Sequence, residues 1–371
     1  MSWSFSIGRI AGTEIRVHIT FFLLLAWIAL SYYRIGGTDA AVHGVIFILA
    51  LFACVVAHEF GHILTARRFG IRTPDVTLLP IGGVARLERM PEKPGEEILV
   101  ALAGPAVNVV IAAVLFLFVG GRFDPSVLEA VETPAADFLT KLAMVNLFLA
   151  VFNMLPAFPM DGGRVLRALL AYKYSRVQAT NIAAVIGQGL AFGLGFLGLL
   201  GNPVLIFIAI FIYLAASAEA QGESLSALSQ RHSAQDTMIT KFQALNPSST
   251  IGDAADALVD TTQHEFPVID DSGNLLGFLT KARMIQSLAK EGGDVNVMDV
   301  MERDVPLVDA GARLGDAIIP LRERRAPAVG VTGKDGKLAG YITLENIAEM
   351  LMVDTALESA RLAAKRTPNA A

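Results

Sequence analysis

The chain has 371 residues and a formal net charge of −5, with 53% hydrophobic and only 18% charged residues. Soluble domains carry about 25% charged residues, so this composition indicates a membrane protein and argues against an ordinary soluble enzyme. No basic cluster accompanies the modest acidic charge, so we expect no nucleic-acid partner. The single cysteine, Cys54, cannot form an intrachain disulfide.

Uncharged stretches predict six transmembrane helices, because about 20 apolar residues cross a bilayer. In chain order the first four predicted spans cover residues 17–33, 42–67, 98–119 and 142–155. The uncharged run 177–218 is about twice as long as one span needs, and Gly-Asn-Pro at 201–203 divides it into two helices. Six spans leave both termini on the same side of the membrane.

Lysine and arginine residues are concentrated on one side of this predicted topology. Twelve lie in the segment before the first span and in those after the second and fourth spans, against three in the segments after the first and third spans. The positive-inside rule therefore predicts that both termini are cytoplasmic. The first residues lack a basic region and a small-residue cleavage site, so we expect no signal peptide. The twelve are Arg9, Arg16, Arg67, Arg68, Arg72, Arg86, Arg89, Lys93, Arg164, Arg167, Lys173 and Arg176, and the three are Arg34, Arg122 and Lys141.

The second span ends with the sequence His-Glu-Phe-Gly-His at residues 58–62. Residues four apart share a helix face, so His58 and His62 can reach one ion while Glu59 reaches the water or substrate side. Zinc hydrolases use this H-E-x-x-H arrangement, in which zinc acidifies water and the glutamate takes the proton. Ionisable groups inside an apolar helix are costly and usually functional, which favours a metal site over a chance match. The helical rise puts His62 about 8 Å and His58 about 13 Å from Arg67, near the cytoplasmic face.

A catalytic zinc ion needs a third protein ligand. His43 lies about 22 Å away along the same helix, so the better candidate is Asp161. It belongs to the sequence Asn-Met-Leu-Pro-Ala-Phe-Pro-Met-Asp-Gly-Gly-Arg at 153–164, whose prolines and glycines predict an irregular segment. Irregular backbone at membrane depth is tolerated only against protein or a watery cavity, which a zinc site would supply. A simple helix-end aspartate is the alternative interpretation.

The two motifs together resemble the site-2 protease family of intramembrane zinc metalloproteases, over about residues 5–220. The resemblance implies zinc bound by His58, His62 and Asp161, Glu59 as general base, and cleavage of peptide bonds in single-span membrane proteins. A prokaryotic inner membrane is the expected location. Asn153 matches the family's asparagine, where an amide could bind the substrate backbone or the oxyanion or serve a purely structural role.

Two further segments could contribute to the protease. Ala-Gly-Pro-Ala-Val-Asn at 103–108 also resembles a family motif, with Gly104 favoured for close helix packing and Asn108 lining the site as the alternative. Residues 74–88 read as a β-hairpin, and strands at 4–8 and 13–17 could join it in one sheet on the cytoplasmic side. An edge of that sheet, at residues 76–79, could accept an unwound substrate as an added strand. Proline substitutions at these residues would test this interpretation; a structural cap over the site is the alternative.

Residues 223–371 are polar and contain an internal repeat of strand, turn, strand and helix. The copies resemble paired CBS (cystathionine-β-synthase-type) modules at about 233–290 and 296–355, which commonly bind adenine nucleotides. This chain departs from the family's Gly-x-x-Thr-x-x-Asp pattern, because Arg283 and Asn346 stand where the family has ribose-binding aspartates. Thr280, Thr343 and Asn346 are the candidate nucleotide residues. Dimerisation of the chain, or stability alone, is the other interpretation.

The sequence thus predicts a polytopic α-helical membrane protein, six transmembrane helices with small membrane-associated β-hairpins, followed by a soluble α/β CBS pair. Its domains are a metalloprotease domain at 1–222, tandem CBS modules at 223–355 and a tail at 356–371. The predicted function is zinc-dependent intramembrane proteolysis of transmembrane substrates, modulated through the CBS pair. The alternatives are a CBS-gated channel or transporter and a catalytically inactive membrane scaffold.

Overall fold

The computed structural model describes residues 3–119, apart from 81, 87 and 89, and residues 138–366. The chain divides into two compact units, Met1–Gln221 and Gly222–Ala371. The helices that begin in the first unit are α1 (Ile19–Arg68), α2 (Pro94–Phe118), α3 (Phe138–Asn153), α4 (Asp161–Ala171), α5 (Arg176–Gly201) and α6 (Pro203–Arg231). Helix α6 therefore starts in the first unit and ends in the second.

Helix α1 is a helical hairpin rather than one straight rod. The rings of Phe21 and Phe52 are 4.6 Å apart between centroids, although a straight helix would separate them by about 46 Å. The backbone leaves the helical conformation at Gly36 and at Gly37, whose φ of 70° favours glycine. Because the halves run back along each other, α1 contains both the first and the second predicted spans.

Four helices among the described residues are long and apolar enough to cross a membrane, namely α1, α2, α5 and α6. Helix α3 is apolar but only 16 residues long. The turn predicted at 201–203 is present, since α5 ends at Gly201 and α6 begins at Pro203. The total of six spans stays a prediction, and residues 120–137 lie outside the described part of the chain.

Four strands of the first unit form one mixed sheet. Strands β1 (Ser4–Ile10), β2 (Thr13–His18), β3 (Asp75–Leu79) and β4 (Gly82–Ala85) lie in the order β1-β2-β3-β4. Both hairpin pairs are antiparallel, and β2 runs parallel to β3. The expectation that residues 76–79 form an edge is wrong, because β3 is hydrogen-bonded on both sides. The edges are β1 and β4.

The second unit contains the two copies of the repeat. Its strands are β5 (Glu265–Ile269), β6 (Leu275–Thr280), β7 (Leu307–Asp309), β8 (Val329–Thr332) and β9 (Leu338–Ile342). Its helices are α7 (Ala234–Thr237), α8 (Ile251–Asp260), α9 (Lys281–Glu291), α10 (Val297–Val300), α11 (Leu314–Glu323) and α12 (Leu344–Arg366). Strands β5 and β6 pair in one sheet and β7, β8 and β9 in another, and each copy has its own buried apolar core.

The glycine of each repeated Gly-x-x-Thr sequence admits a backbone segment from the other copy. A Cβ on Gly340 would lie 2.6 Å from the carbonyl oxygen of Ile239, and one on Gly277 would lie 2.5 Å from that of Glu302. Ile239 forms a bridge to the residue after Gly340, and Glu302 to the residue after Gly277. The repeat glycines therefore let the two copies exchange linker segments.

Candidate active site

Three predicted ligands converge at one buried point of the first unit. His58 and His62 lie one turn apart on the second half of α1, and Asp161 is the first residue of α4. The Nε2 atoms of the two histidines are 3.1 Å apart, and Asp161 Oδ2 lies 3.3 Å from His58 Nε2 and 3.2 Å from His62 Nε2. This trio is the one group of three or more potential metal-ligating residues found among the described residues.

The donor set fits a zinc ion. Zinc–nitrogen and zinc–oxygen bonds of about 2.0 Å in a tetrahedral site separate neighbouring donors by about 3.3 Å. The three observed separations of 3.1, 3.2 and 3.3 Å match that edge length. Two imidazole nitrogens and a carboxylate oxygen turned towards each other repel unless a proton or a metal cation lies between them. Three protein ligands would leave a zinc ion one open position for water or substrate, as in catalytic sites.

A backbone carbonyl fixes the orientation of one imidazole. His62 Nδ1 lies 2.7 Å from the carbonyl oxygen of Val100 on α2. A carbonyl oxygen can only accept, so Nδ1 donates the hydrogen bond and Nε2 keeps its lone pair for a metal. Nothing in the sequence singled out Val100, because a backbone carbonyl leaves no signature in the residue type.

Gly104 on α2 has no side chain, and the two imidazoles occupy the space that a side chain would fill. A Cβ at this position would overlap His62 Nε2 and lie 2.7 Å from His58 Nε2. Gly61 on α1 faces α2 as well, since a Cβ there would lie 2.7 Å from the Ala103 carbonyl oxygen. The close packing expected of Gly104 is therefore found at the site itself. Asn108 is 1% exposed on the same helix, and its role stays a prediction.

Asp161 is held by a tightly folded segment between α3 and α4. A Cβ on Gly162 would overlap the backbone of Met154, and one on Gly163 would lie 2.6 Å from the carbonyl carbon of Ala157. The two glycines after Asp161 thus let the irregular segment fold against the start of α4. Arg164 Nη1 lies 3.8 Å from Asp161 Oδ1, an ion pair that leaves Oδ2 to the histidines.

Glu59 and Asn153 complete the set of candidate catalytic residues. Glu59 is half-buried on α1 and lies against the edge strand β4, where a Cβ on Gly83 would be 2.9 Å from Glu59 Cγ. Asn153 is the last residue of α3 and is half-buried. Its part in substrate binding stays a prediction.

The second unit has a cavity of about 710 Å³ that contains two of the three candidate nucleotide residues. Thr343 and Asn346 line it, together with residues 261–265 of the first copy. The Asn346 Oδ1 atom is buried and has no hydrogen-bond partner among the described residues. Thr280 is not among the residues that line this cavity; its hydroxyl accepts a hydrogen bond from the Arg283 backbone and caps α9.

Acidic side chains dominate the charge of this cavity. Glu265, Glu345 and Glu349 line it against Lys241 and the titratable His264. Burial raises the pKa of Glu265, and the neighbouring Glu345 raises it further while His264 lowers it. The cavity therefore offers acceptors for sugar hydroxyls but an unfavourable field for several phosphates. In the first copy, Arg283 is engaged by the Val300 carbonyl, at 3.2 Å, and by a Glu302 carboxylate, at 3.4 Å.

Membrane-length helices around a buried His-His-Asp cluster with an adjacent glutamate define a membrane metallopeptidase. The model of peptidase family M50 matches residues 46–133 and 119–194, and the CBS domain model matches 234–290 and 297–353. A zinc metalloprotease of Methanocaldococcus jannaschii is 35% identical over 307 residues, covering 82% of this chain and 84% of that protein. A relative from Synechocystis sp. is 29% identical over 376 residues, covering 96% and 97%.

The solved structure of a site-2 protease from Methanocaldococcus jannaschii is 35% identical and covers 59% of this chain and 95% of that one, with a TM-score of 0.45. The chain belongs to peptidase family M50, the site-2 proteases, and carries a C-terminal CBS pair. It is a zinc metalloendopeptidase by that membership.

Proposed function

We propose that the protein is an intramembrane endopeptidase that hydrolyses peptide bonds in transmembrane segments. The observation that carries the proposal is the convergence of His58, His62 and Asp161 on helices around an apolar, membrane-length hairpin. Their donor atoms lie within 4.8 Å of one another, and His58 and His62 belong to α1, a helix long and apolar enough to cross a membrane. A site at this depth has access to peptide bonds that a soluble peptidase cannot reach.

The residues divide the catalytic work between them. His58, His62 and Asp161 would hold the metal, which supplies Lewis-acid chemistry by polarising the scissile carbonyl and acidifying water. Glu59 takes the proton from the attacking water and delivers it to the leaving amine. Asn153 donates from its amide to the carbonyl oxygen as negative charge develops there.

Edge strand β4 is the proposed docking strand for the unwound substrate. Arg86 N donates to Asp75 O on β3, so Val84, two residues earlier, faces β3 as well, whereas Gly83 and Ala85 turn their backbone groups outward. An extended substrate paired with these groups would run beside Glu59. Main-chain pairing of this kind recognises any unwound segment, and side-chain pockets add specificity.

Proline substitutions separate substrate docking from sheet integrity. Ala85→Pro removes an outward N–H and leaves the β3–β4 hydrogen bonds in place, so cleavage should fall at least tenfold with unchanged folding. Val84→Pro removes an inward N–H and should destabilise the sheet itself. Full cleavage by a folded Ala85→Pro variant would reject β4 as the docking strand.

The proposed setting is the inner membrane of a prokaryote, with both termini in the cytoplasm. The twelve-to-three distribution of lysine and arginine supports this orientation. Its partners would be single-span protein substrates and the surrounding lipid, with dimerisation through the CBS modules. Cysteine labelling of residues placed at each end of α6, from each side of the membrane, tests the orientation.

The CBS pair is proposed to bind an adenine nucleotide in the cavity lined by Thr343 and Asn346, and thereby to modulate the protease. The buried, unpartnered Asn346 Oδ1 supports a hydrogen bond from a ribose hydroxyl. Three glutamates around the cavity predict that AMP binds more tightly than ADP and ADP more tightly than ATP. Isothermal titration of the full chain with each nucleotide measures this order, and the absence of heat and thermal shift with all three would reject the sensor.

Glu59→Gln tests the protease function directly. The variant keeps the three ligands, so it should retain zinc and the wild-type melting temperature but lose cleavage by at least 10²-fold. Membrane proteins that accumulate in cells carrying Glu59→Gln, compared with wild type by proteomics, would be the substrates. Glu88→Gln, a surface change of the same chemistry, is the matched control. Normal cleavage by Glu59→Gln would refute the mechanism.

A further inference from the structure

A cluster of charged side chains, of which Arg167 and Glu97 are buried, lies in the first unit away from the metal ligands. Arg167 on α4 is 0% exposed and Glu97 on α2 is 2% exposed. Arg167 Nε donates to Glu97 Oε1 at 2.8 Å, and Nη1 donates to Glu219 Oε1 on α6 at 2.6 Å. Arg176, the first residue of α5, donates to the other oxygen of Glu97 at 3.2 Å.

A buried ion pair of this kind is weak evidence for stability alone. Desolvation of the two charges offsets much of their attraction, and apolar replacements are often as stable. The pair does impose a defined geometry, because the planar guanidinium of arginine donates hydrogen bonds to a carboxylate in only a few orientations. What Arg167 and Glu97 fix is therefore the position of α4 relative to α2.

These two helices are the ones that shape the metal site around α1. Glu97, Val100 and Gly104 lie at positions i, i+3 and i+7, which share one face of α2. Val100 orients His62, and Gly104 leaves space for both imidazoles. On α4, Asp161 supplies the third ligand six residues before Arg167.

The spacing along the two helices matches. Asp161 and Arg167 are separated by about 9 Å along α4, and Gly104 and Glu97 by about 10 Å along α2. Helix α4 contacts α2 directly at the ion pair, and at their other ends Asp161 of α4 and Gly104 of α2 both contact the two histidines of α1. Arg167 also stacks on Phe158, with its Cζ 5.2 Å from the ring centroid, and Phe158 lies in the irregular segment that leads to Asp161.

We propose that Arg167 and Glu97 are positioning residues for the zinc site, which hold Asp161 at the correct distance from the two histidines by fixing α4 against α2. This inference rests on the metal ligands proposed above. Outer contacts that orient metal ligands typically contribute 10- to 100-fold to metal affinity. The Arg167–Glu219 contact, which joins α4 to α6 instead, should contribute little to zinc binding.

The two carboxylates that share Arg167 provide a matched pair of variants. In the full chain in detergent, zinc affinity is measured by competition with a chelator, and ligand geometry by the visible absorption of the Co²⁺-substituted protein. Glu97→Gln should weaken zinc binding at least tenfold and shift the Co²⁺ bands. Glu219→Gln removes a carboxylate from the same guanidinium and should change zinc affinity less than threefold.

Two conservative variants cover the case in which Glu97→Gln does not fold. Glu97→Asp keeps the charge but shortens the reach, so it should fold and still shift the Co²⁺ bands. Arg167→Lys keeps the cation without the planar fork and should lose zinc affinity to an intermediate extent. The melting temperature of the metal-free protein verifies that each variant is folded.

Equal zinc affinities for Glu97→Gln, Glu219→Gln and wild type would overturn the positioning role and leave the ligand assignment intact. Equal losses in Glu97→Gln and Glu219→Gln would also overturn it, because they would indicate a general effect on stability. A wild-type chain that binds no zinc or cobalt would instead refute the proposed metal site.

Discussion

Gly104→Ala tests how closely α2 shapes the proposed metal site. The added methyl would lie 2.7 Å from His58 Nε2 and overlap His62 Nε2. Ordinary van der Waals contact begins near 3.4 Å, so even His58, the more distant of the two imidazoles, would have to move by about 0.7 Å from its 2.7 Å separation. A metal site tolerates ligand displacements of about 0.2 Å. We therefore expect at least a 100-fold loss of zinc affinity, or about 2.7 kcal/mol.

The assay is chelator competition on the purified full chain, with the melting temperature of the metal-free protein as a check on folding. Gly193→Ala on α5 is the matched control, since a Cβ there meets no atom within 4 Å. It should leave zinc affinity unchanged. A folded Gly104→Ala variant with wild-type zinc affinity would show that α2 does not lie against the imidazoles as described.

Four further measurements address the proposed catalytic amide, the cavity and the second unit. Asn153→Ala should lower kcat by about 10²- to 10³-fold at unchanged zinc content, and an unchanged kcat would assign the amide a structural role. Thr343→Val should weaken AMP binding at least tenfold by titration, whereas Thr280→Val should not. Burial raises the pKa of Glu265 above its usual value of 4.5, so stability should fall as pH rises from 4.5 to the raised pKa, and Glu265→Gln should flatten that slope in thermal melts. Leu279→Ala, in a fully buried position, should cost the second unit about 2–5 kcal/mol in denaturant unfolding.

The sequence predicted the residues of the His-His-Asp cluster because their arrangement depends on local geometry. His58 and His62 share a face of any helix, whatever surrounds it, and the prolines and glycines around Asp161 mark an irregular segment wherever it lies. The repeat in the second unit was visible for the same reason, since each strand–turn–strand copy is written in contiguous residues. The turn between α5 and α6 also follows from three consecutive residues.

The sequence could not identify the contacts that join distant elements. Which residue of α2 faces the imidazoles depends on how side chains of two helices interdigitate, and the free energies of neighbouring registers differ too little for composition to decide. The hydrogen bond from His62 to the Val100 carbonyl and the contact of Gly104 with both imidazoles were therefore found only from the folded chain. The edge strand was missed because strand order depends on non-local hydrogen bonds, which place β3 inside the sheet and β4 beside Glu59.

The charged residues show the same division. The sequence alone predicted that Arg167 and Arg176 belong to a basic segment on the cytoplasmic side, because counting charges requires no knowledge of their partners. Only the tertiary structure decided that Arg167 is buried between Glu97 and Glu219, which precede and follow it by 70 and 52 residues. Such a pair forms because a buried guanidinium without a carboxylate partner is strongly destabilising. Which carboxylates lie within reach depends on how α2, α4 and α6 pack together.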